Sequence, residues 1–418
     1  MIIHKSKLNG KIKSNSSKSY AHRALITAFL SNEECKVYID NFSNDIKATI
    51  DSLKILGGDF NIFEDYVLVK PKQKIKKIPV IDAKESASTL RFILPIACSM
   101  YENCYFTAGE SLKRRPLDEL ISVMEKNGVS FSSHKLPFKT KGIFKFENIN
   151  IVGNISSQYI TGLLFSMLLQ KNKTEINITT KLESKSYVDI SLDVLKYFGI
   201  TILKEKNKYI FEPSEISAKD FYVEGDFSNS APFLCAAALN GDITVSNLNL
   251  KSLQSDRRIV EILKNYGAYV EENKNYIRVK SNLKRNINQD MSDIPDLLPI
   301  LAVISSEVKG GFSRFYNAKR LRYKESDRIF STSQMIKNLG GKTIEKDDEL
   351  IVFGTDGLIG GEIDSFNDHR IVMASSICSV ISKKDIVLHD ENAIKKSYPY
   401  FFDDFYKLGG KFDSNIWK

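Results

Sequence analysis

Lys18, Ser19 and Arg23 stand close together where the polar stretch Ser14-Asn-Ser-Ser-Lys-Ser19 gives way to an apolar run starting at Ala24. An ammonium, a hydroxyl and a guanidinium at the mouth of a helix make a phosphate site, because the helix adds unpaired backbone N–H groups and the positive end of its dipole. Ser156, Ser157 and Gln158 open another apolar run with neutral hydrogen-bonding groups. A second kind of loop, ahead of amphipathic stretches, supplies Arg115, Lys185, Lys324 with Arg328, and Lys396. Serines in such places also cap ordinary buried helices, and a single mouth reads at least as well that way. Cations recurring at several mouths point instead to a ligand. Gathered with few carboxylates among them, they concentrate anions, which suits a small substrate carrying several negative charges. Asp296 and Glu325 stand among these cations and are the candidates for moving protons.

The elements that must position these residues follow a repeat. Ser19, Ser88, Ser157, Ser228, Asp296 and Asp368 each mark the start of an apolar helix, at spacings of 69, 69, 71, 68 and 72 residues. Glycines closing amphipathic helices fall at Gly57, Gly128, Gly199, Gly267, Gly340 and Gly409, at spacings of 71, 71, 68, 73 and 69. Each is expected in the left-handed position just past a helix. Two features sharing one period make the chain six copies of one unit. Within a unit the order reads strand, apolar helix, short strand, amphipathic helix and hairpin, or βαβαββ; Lys173–Thr179 and Asp242–Ser246 show the alternation of strands. A helix apolar nearly all round must lie inside, so the class is α/β with helices within and sheets outside. Three repeats per domain give two similar domains. Residues 14–223 hold repeats one to three; residues 1–13 plus 224–418 hold repeats four to six and an N-terminal strand over residues 2–12, with the active site expected in the interdomain cleft.

The bulk numbers narrow the class. At 418 residues, 42% hydrophobic and 27% charged, the chain is a globular protein too long for one ordinary core. It has no apolar run of membrane-spanning length and no apolar leader in Met-Ile-Ile-His-Lys, so a cytoplasmic protein that does not engage membranes is expected. Cys35, Cys98, Cys104, Cys235 and Cys378 form no Cys-x-x-Cys pair, and buried free thiols are expected rather than zinc ligands or disulfides. The net charge of +9 admits either nucleic acid or an anionic small molecule. Part of that excess is the solvated segment Lys70–Lys77. The remaining cations recur at helix mouths and not along an open sheet interleaved with aromatics, which disfavours nucleic acid.

In order along the chain stand Ser-Lys-Ser-x3-Arg (17–23), Arg-Pro (115–116), Ser-Ser-Gln (156–158), Glu-Ser-Lys-x-Tyr (183–187) and Gly-Asp-x-Ser (225–228). Ile-Pro-Asp (294–296), Lys-Glu-Ser-Asp-Arg (324–328), Asn-Asp-His-Arg (367–370) and Lys-x-Tyr-Pro (396–399) follow. Each is weak alone, but in phase with the repeat they are specific, and over essentially its whole length the chain resembles the 5-enolpyruvylshikimate-3-phosphate synthase family. The resemblance implies two inverse α/β barrels and transfer of the enolpyruvyl group of phosphoenolpyruvate to the 5-hydroxyl of shikimate 3-phosphate. It also implies release of phosphate, a place in aromatic amino acid biosynthesis, and no metal or organic cofactor. By the same carry-over Lys18, Ser19, Arg23, Ser156, Ser157, Ser184, Tyr187, Asp296 and Lys324 hold shikimate 3-phosphate. Lys18, Arg91, Arg115, Gln158, Arg328, Arg370 and Lys396 hold phosphoenolpyruvate, with Ala87 and the 85–88 loop against it. Asp296 is implied as the base, Glu325 with Lys396 as the acid, and Lys18 and His369 as further catalytic groups. A monomer is expected.

Three departures from the family pattern matter. Ser14-Asn15-Ser16 replaces the usual proline-glycine, Lys84-Glu85-Ser86-Ala87-Ser88 carries a carboxylate where an asparagine is usual, and around 317–324 no residue takes the place of the family's substrate-binding asparagine, Asn317 being too far upstream. Ala87 stands where the family has glycine, so its methyl is expected to crowd the longer inhibitor glyphosate more than phosphoenolpyruvate and to confer tolerance. The rival enolpyruvyl transferase that acts on UDP-N-acetylglucosamine needs a catalytic cysteine in the loop that reads Ser111-Leu-Lys-Arg-Arg-Pro116 here, and there is none.

Overall fold

The computed structural model describes residues 1–414. Among the described residues the strands form six four-stranded sheets, each with two adjacent parallel strands, and in five of them an antiparallel hairpin completes the sheet. The second repeat shows the pattern. Strand Val80–Asp82 leads into the buried helix Ala87–Met100, which returns to strand Asn103–Thr107, parallel to the first. The amphipathic helix Asp118–Glu125 then precedes the hairpin Ser130–Phe131 and Phe138–Lys141, the latter antiparallel to Asn103–Thr107.

The chain divides into two compact units, Ser16–Val223 and Met1–Asn15 together with Glu224 onward. Each has its own apolar core, built from the apolar helices Lys18–Ser31, Ala87–Met100 and Ser157–Met167 in one, and Phe227–Asn240, Leu298–Ser305 and His369–Cys378 in the other. Burial of each Leu, Ile or Phe in these helices contributes about 1.5–3 kcal/mol, more than the helix propensity of such short segments supplies. All six phased glycines have left-handed backbones, with φ of 99° at Gly57, 94° at Gly128, 85° at Gly199, 107° at Gly267, 83° at Gly340 and 101° at Gly409. Without a Cβ they end each amphipathic helix and turn the chain into the strand that follows.

Repeats one and four take their first strands from elsewhere in the chain. Phe221–Tyr222 runs parallel to Cys35–Tyr38, and Asn9–Lys13 runs parallel to Asp242–Ser246. The single N-terminal strand expected over residues 2–12 is in fact two. Ile2–His4 lies between Ile386–His389 and Lys411–Asp413, antiparallel to both, and so completes the sheet of repeat six. Ser6 explains the break: its hydroxyl donates to the His4 carbonyl at 2.8 Å and accepts from the Lys411 N–H at 3.0 Å, taking the chain out of the ladder. Among the described residues no helix is long and apolar enough to cross a membrane, and the five cysteines are free and buried.

Candidate active site

In the unit Ser16–Val223 three helix mouths meet through their side chains. Arg23 is buried, its Nε donating to Ser191 Oγ at 2.7 Å, one Nη to the Ser19 carbonyl at 2.7 Å and the other to the Tyr187 carbonyl at 2.9 Å. Burial pulls its pKa down to about 10, which leaves it a cation at neutral pH. Lys18 pairs with Asp45 at 2.7 Å. His22, one residue before Arg23, is kept neutral by burial and by the charges of Lys18 and Arg23. Its Nδ1 meets Thr49 Oγ1 at 2.7 Å, and Thr49, Thr89 and Ser86 continue the chain of hydroxyls to the second mouth.

At that second mouth Ser86 caps the helix and Ala87 is its first residue, buried at 5% exposure. Arg91, one turn on, donates to Gln158 Oε1 at 2.7 Å and to the Pro116 carbonyl at 3.1 Å, while Gln158 Nε2 donates to Ser88 Oγ at 2.9 Å. Gly162 makes this possible: a Cβ there would fall 2.1 Å from the Arg91 carbonyl oxygen, so only glycine lets the two helices approach this closely. Ser156 caps the third helix through the Gln158 N–H at 3.3 Å. Arg115 is half-buried and Ser184 buried, with φ of 50° ahead of its helix; Tyr187 is half-buried. Lys185, counted among the cations, is exposed. The two unusual loop residues have different neighbours. Lys84, at φ 51°, pairs with Asp82 at 2.6 Å, and Glu85 fills the space over Gly109, where a Cβ would lie 2.0 Å from its Oε1.

The other unit gathers its charges around Arg328, one of the largest fully buried side chains. Its guanidinium donates to Asp296 Oδ1 at 2.6 Å, Glu325 Oε2 at 2.7 Å and Asp368 Oδ2 at 2.8 Å. Arg370 reaches the second oxygen of Asp296 at 3.1 Å, and Lys324 Nζ lies 3.9 Å from the first. Burial alone would raise the Asp296 pKa, but Arg328, Arg370 and Lys324 outweigh it and hold the carboxyl well below its ordinary range. Burial also pulls Lys324 down to about 8. Lys396 is buried, with Nζ on the Asn367 carbonyl at 2.7 Å. His369 is buried beside Asp368, 3.8 Å from it, and Asp368 caps the helix that His369 and Arg370 open. Asn317 donates to Asp290 Oδ2 at 2.7 Å.

The expectation of few carboxylates among the cations is corrected here. Asp226, Asp256, Asp296, Glu325 and Asp368 stand among Lys324, Arg328, Arg370 and Lys396, because buried guanidinium groups need counter-charges to offset desolvation. Two of the carboxylates that sequence reasoning passed over, Asp45 and Asp256, carried a signal. With Arg115, Lys185, Lys324 and Lys396 they form the series 45, 115, 185, 256, 324 and 396, one per repeat. A search for cations alone does not see them. Asp256 is fully buried, receives the Ser228 hydroxyl at 2.5 Å and has its pKa pushed up to about 7, by burial first and then by the charge of Asp296.

Comparison with known proteins agrees with this architecture. A solved EPSP synthase from Acinetobacter baumannii superposes with a TM-score of 0.82 at 21% identity, covering 98% of this chain and 97% of that one. The enolpyruvyl transferase NikO from Streptomyces tendae superposes with a TM-score of 0.78 at 14% identity, again over 98% and 97%. The fold is therefore that of the enolpyruvyl transferases, two α/β units of three repeats each. The family model for EPSP synthase (3-phosphoshikimate 1-carboxyvinyltransferase) matches residues 2–405. A 3-phosphoshikimate 1-carboxyvinyltransferase from Clostridium acetobutylicum is 40% identical over 414 residues, 96% of either chain. One from Clostridium novyi is 38% identical over 98% of this chain and 97% of its own. The chain belongs to the EPSP synthase family.

Proposed function

We propose that the protein transfers the enolpyruvyl group of phosphoenolpyruvate to the 5-hydroxyl of shikimate 3-phosphate and releases inorganic phosphate. The observation that carries this reading is the family match over residues 2–405, with relatives near 40% identity along almost the entire chain.

In this proposal Lys18, Ser19, Arg23, Ser156, Ser157, Ser184, Tyr187, Asp296 and Lys324 hold shikimate 3-phosphate. Lys18, Arg91, Arg115, Gln158, Arg328, Arg370 and Lys396 hold phosphoenolpyruvate, with Ala87 beside it. Protonation of the phosphoenolpyruvate methylene makes C2 cationic, and Glu325 is the proposed donor, with Lys396 assisting. Asp296 takes the proton of the 5-hydroxyl as that oxygen attacks C2; being held well below the ordinary carboxylate range, it is ionised at neutral pH, the state a base requires. The tetrahedral intermediate then returns a methyl proton to the Glu325 carboxylate as its C2–O bond to phosphate breaks, which restores the enol double bond, and Lys18 and the arginines stabilise the growing charge of the departing phosphate. His369, buried with its Nδ1 3.8 Å from Asp368, is the proposed assisting group at the mouth that carries Arg370.

A monomer in the cytoplasm, working without metal or organic cofactor, completes the reading; the buried, free thiols suit a reducing compartment. Steady-state phosphate release tests the activity: both substrates together should give phosphate, and either alone, or UDP-N-acetylglucosamine in place of shikimate 3-phosphate, should not. Phosphate from the nucleotide sugar would favour the rival transferase instead.

A further inference from the structure

Asn229 lies in the first turn of the helix Phe227–Asn240 and is fully buried. No step of the proposed reaction uses it. Its Oδ1 accepts from Arg370 Nη1 at 3.0 Å and from Ser397 Oγ at 3.2 Å, and its Nδ2 donates to the Ser397 carbonyl at 3.4 Å. Ser397 directly follows Lys396. One amide therefore joins three elements: its own helix, the helix opening at His369 that carries Arg370, and the turn that carries Lys396. The orientation of the amide follows from its partners, since a guanidinium and a hydroxyl donate to the oxygen while a carbonyl accepts from the nitrogen.

Arg370 has its other Nη on Asp296 at 3.1 Å. Without Asn229 the guanidinium keeps its bond to Asp296 and a long contact from Nη1 to Met373 Sδ at 3.9 Å, and Nη1 loses the amide oxygen that fixes it. We infer that Asn229 is a positioning residue that fixes Arg370 and the Lys396 turn in the arrangement that receives phosphoenolpyruvate. The inference rests on the proposal that Arg370 and Lys396 bind that substrate. A hydrogen bond to a charged group is worth enough to change affinity by about tenfold or more when it is lost.

The test is a kinetic cycle on the full chain. Asn229→Ala should raise KM for phosphoenolpyruvate about tenfold and leave KM for shikimate 3-phosphate within about twofold. Arg370→Ala should itself raise KM for phosphoenolpyruvate, and adding Asn229→Ala to it should cost clearly less than the roughly tenfold seen with Arg370 present, because only the hold on the Lys396 turn is then left to lose. Asn229→Ser, which keeps a polar group but cannot span to Arg370, serves if the alanine variant fails to fold and should give the same pattern. Equal changes in both KM values, or the same increment with and without Arg370, would overturn the positioning role. A normal KM for phosphoenolpyruvate in Arg370→Ala alone would instead remove the binding proposal beneath it.

Discussion

Replacing Asp256 by asparagine removes a buried carboxyl without changing its shape, and the Ser228 hydroxyl can still donate to the oxygen that remains. In the folded protein the carboxyl titrates near 7, raised from 3.8 first by burial and then by Asp296; the Ser228 hydrogen bond and Arg370 oppose this, and Asp226 adds to it. A folded-state pKa above the unfolded value means the native state holds a proton that the unfolded chain has released. Unfolding stability therefore falls as pH rises from about 4 to 7, by about 1.4 kcal/mol per pH unit, and then levels off. Over the full interval the cost is about 4 kcal/mol. The asparagine side chain has no such titration. The stability advantage of Asp256→Asn over the wild type should grow by about 3 kcal/mol between pH 5 and pH 8. Urea denaturation followed by circular dichroism at pH 5, 6, 7 and 8 measures it. A difference that stays constant across this range would refute the reasoning, because it would mean that Asp256 is already ionised at pH 5.

Asp296→Asn and Glu325→Gln should each lower turnover by about a hundredfold or more, the usual scale for a lost proton-transfer group. Calorimetry should find shikimate 3-phosphate bound within about tenfold of normal, and near-normal turnover would remove that residue from the mechanism. Gly162→Ala places a methyl 2.1 Å from the Arg91 carbonyl oxygen, so thermal melting should show a loss of about 3 kcal/mol or more and KM for phosphoenolpyruvate should rise as Arg91 leaves Gln158; an unchanged melting temperature would contradict the close helix approach. Ala87→Gly should lower the inhibition constant for glyphosate about five- to hundredfold, the equivalent of removing a crowded methyl. Equal, low constants in the two proteins would mean that the methyl never reaches the inhibitor.

The repeat was legible because two independent signals, the polar entry to each buried helix and the glycine after each amphipathic one, share a period, and the left-handed φ of all six glycines is its physical cause. Strand exchange was less legible. Ile2–His4 is only three residues long and Asn9–Lys13 reads Asn-Gly-Lys-Ile-Lys, residues that strands mostly disfavour, and nothing local says that one completes the last sheet while the other opens the fourth. In the candidate site the cations were visible by type and position, whereas their partners were not. Beside its own near neighbour Glu325, Arg328 gathers Asp296 and Asp368 from two distant segments, and the role of Asn229 depends on the fold bringing residues 229, 370 and 397 together. Such convergence is a property of packing that no spacing along the chain encodes, although Asp45 and Asp256 show that phase within the repeat narrows the search.

The central claim, enolpyruvyl transfer to shikimate 3-phosphate, is tested most directly by following phosphoenolpyruvate labelled with carbon-13 at C2 by carbon and phosphorus NMR in the presence of the enzyme and shikimate 3-phosphate. The expected result is an enol ether carbon attached to the acceptor, appearing one for one with inorganic phosphate. Phosphate appearing with labelled pyruvate and no ether, or no reaction by protein that is folded and binds shikimate 3-phosphate, would contradict it.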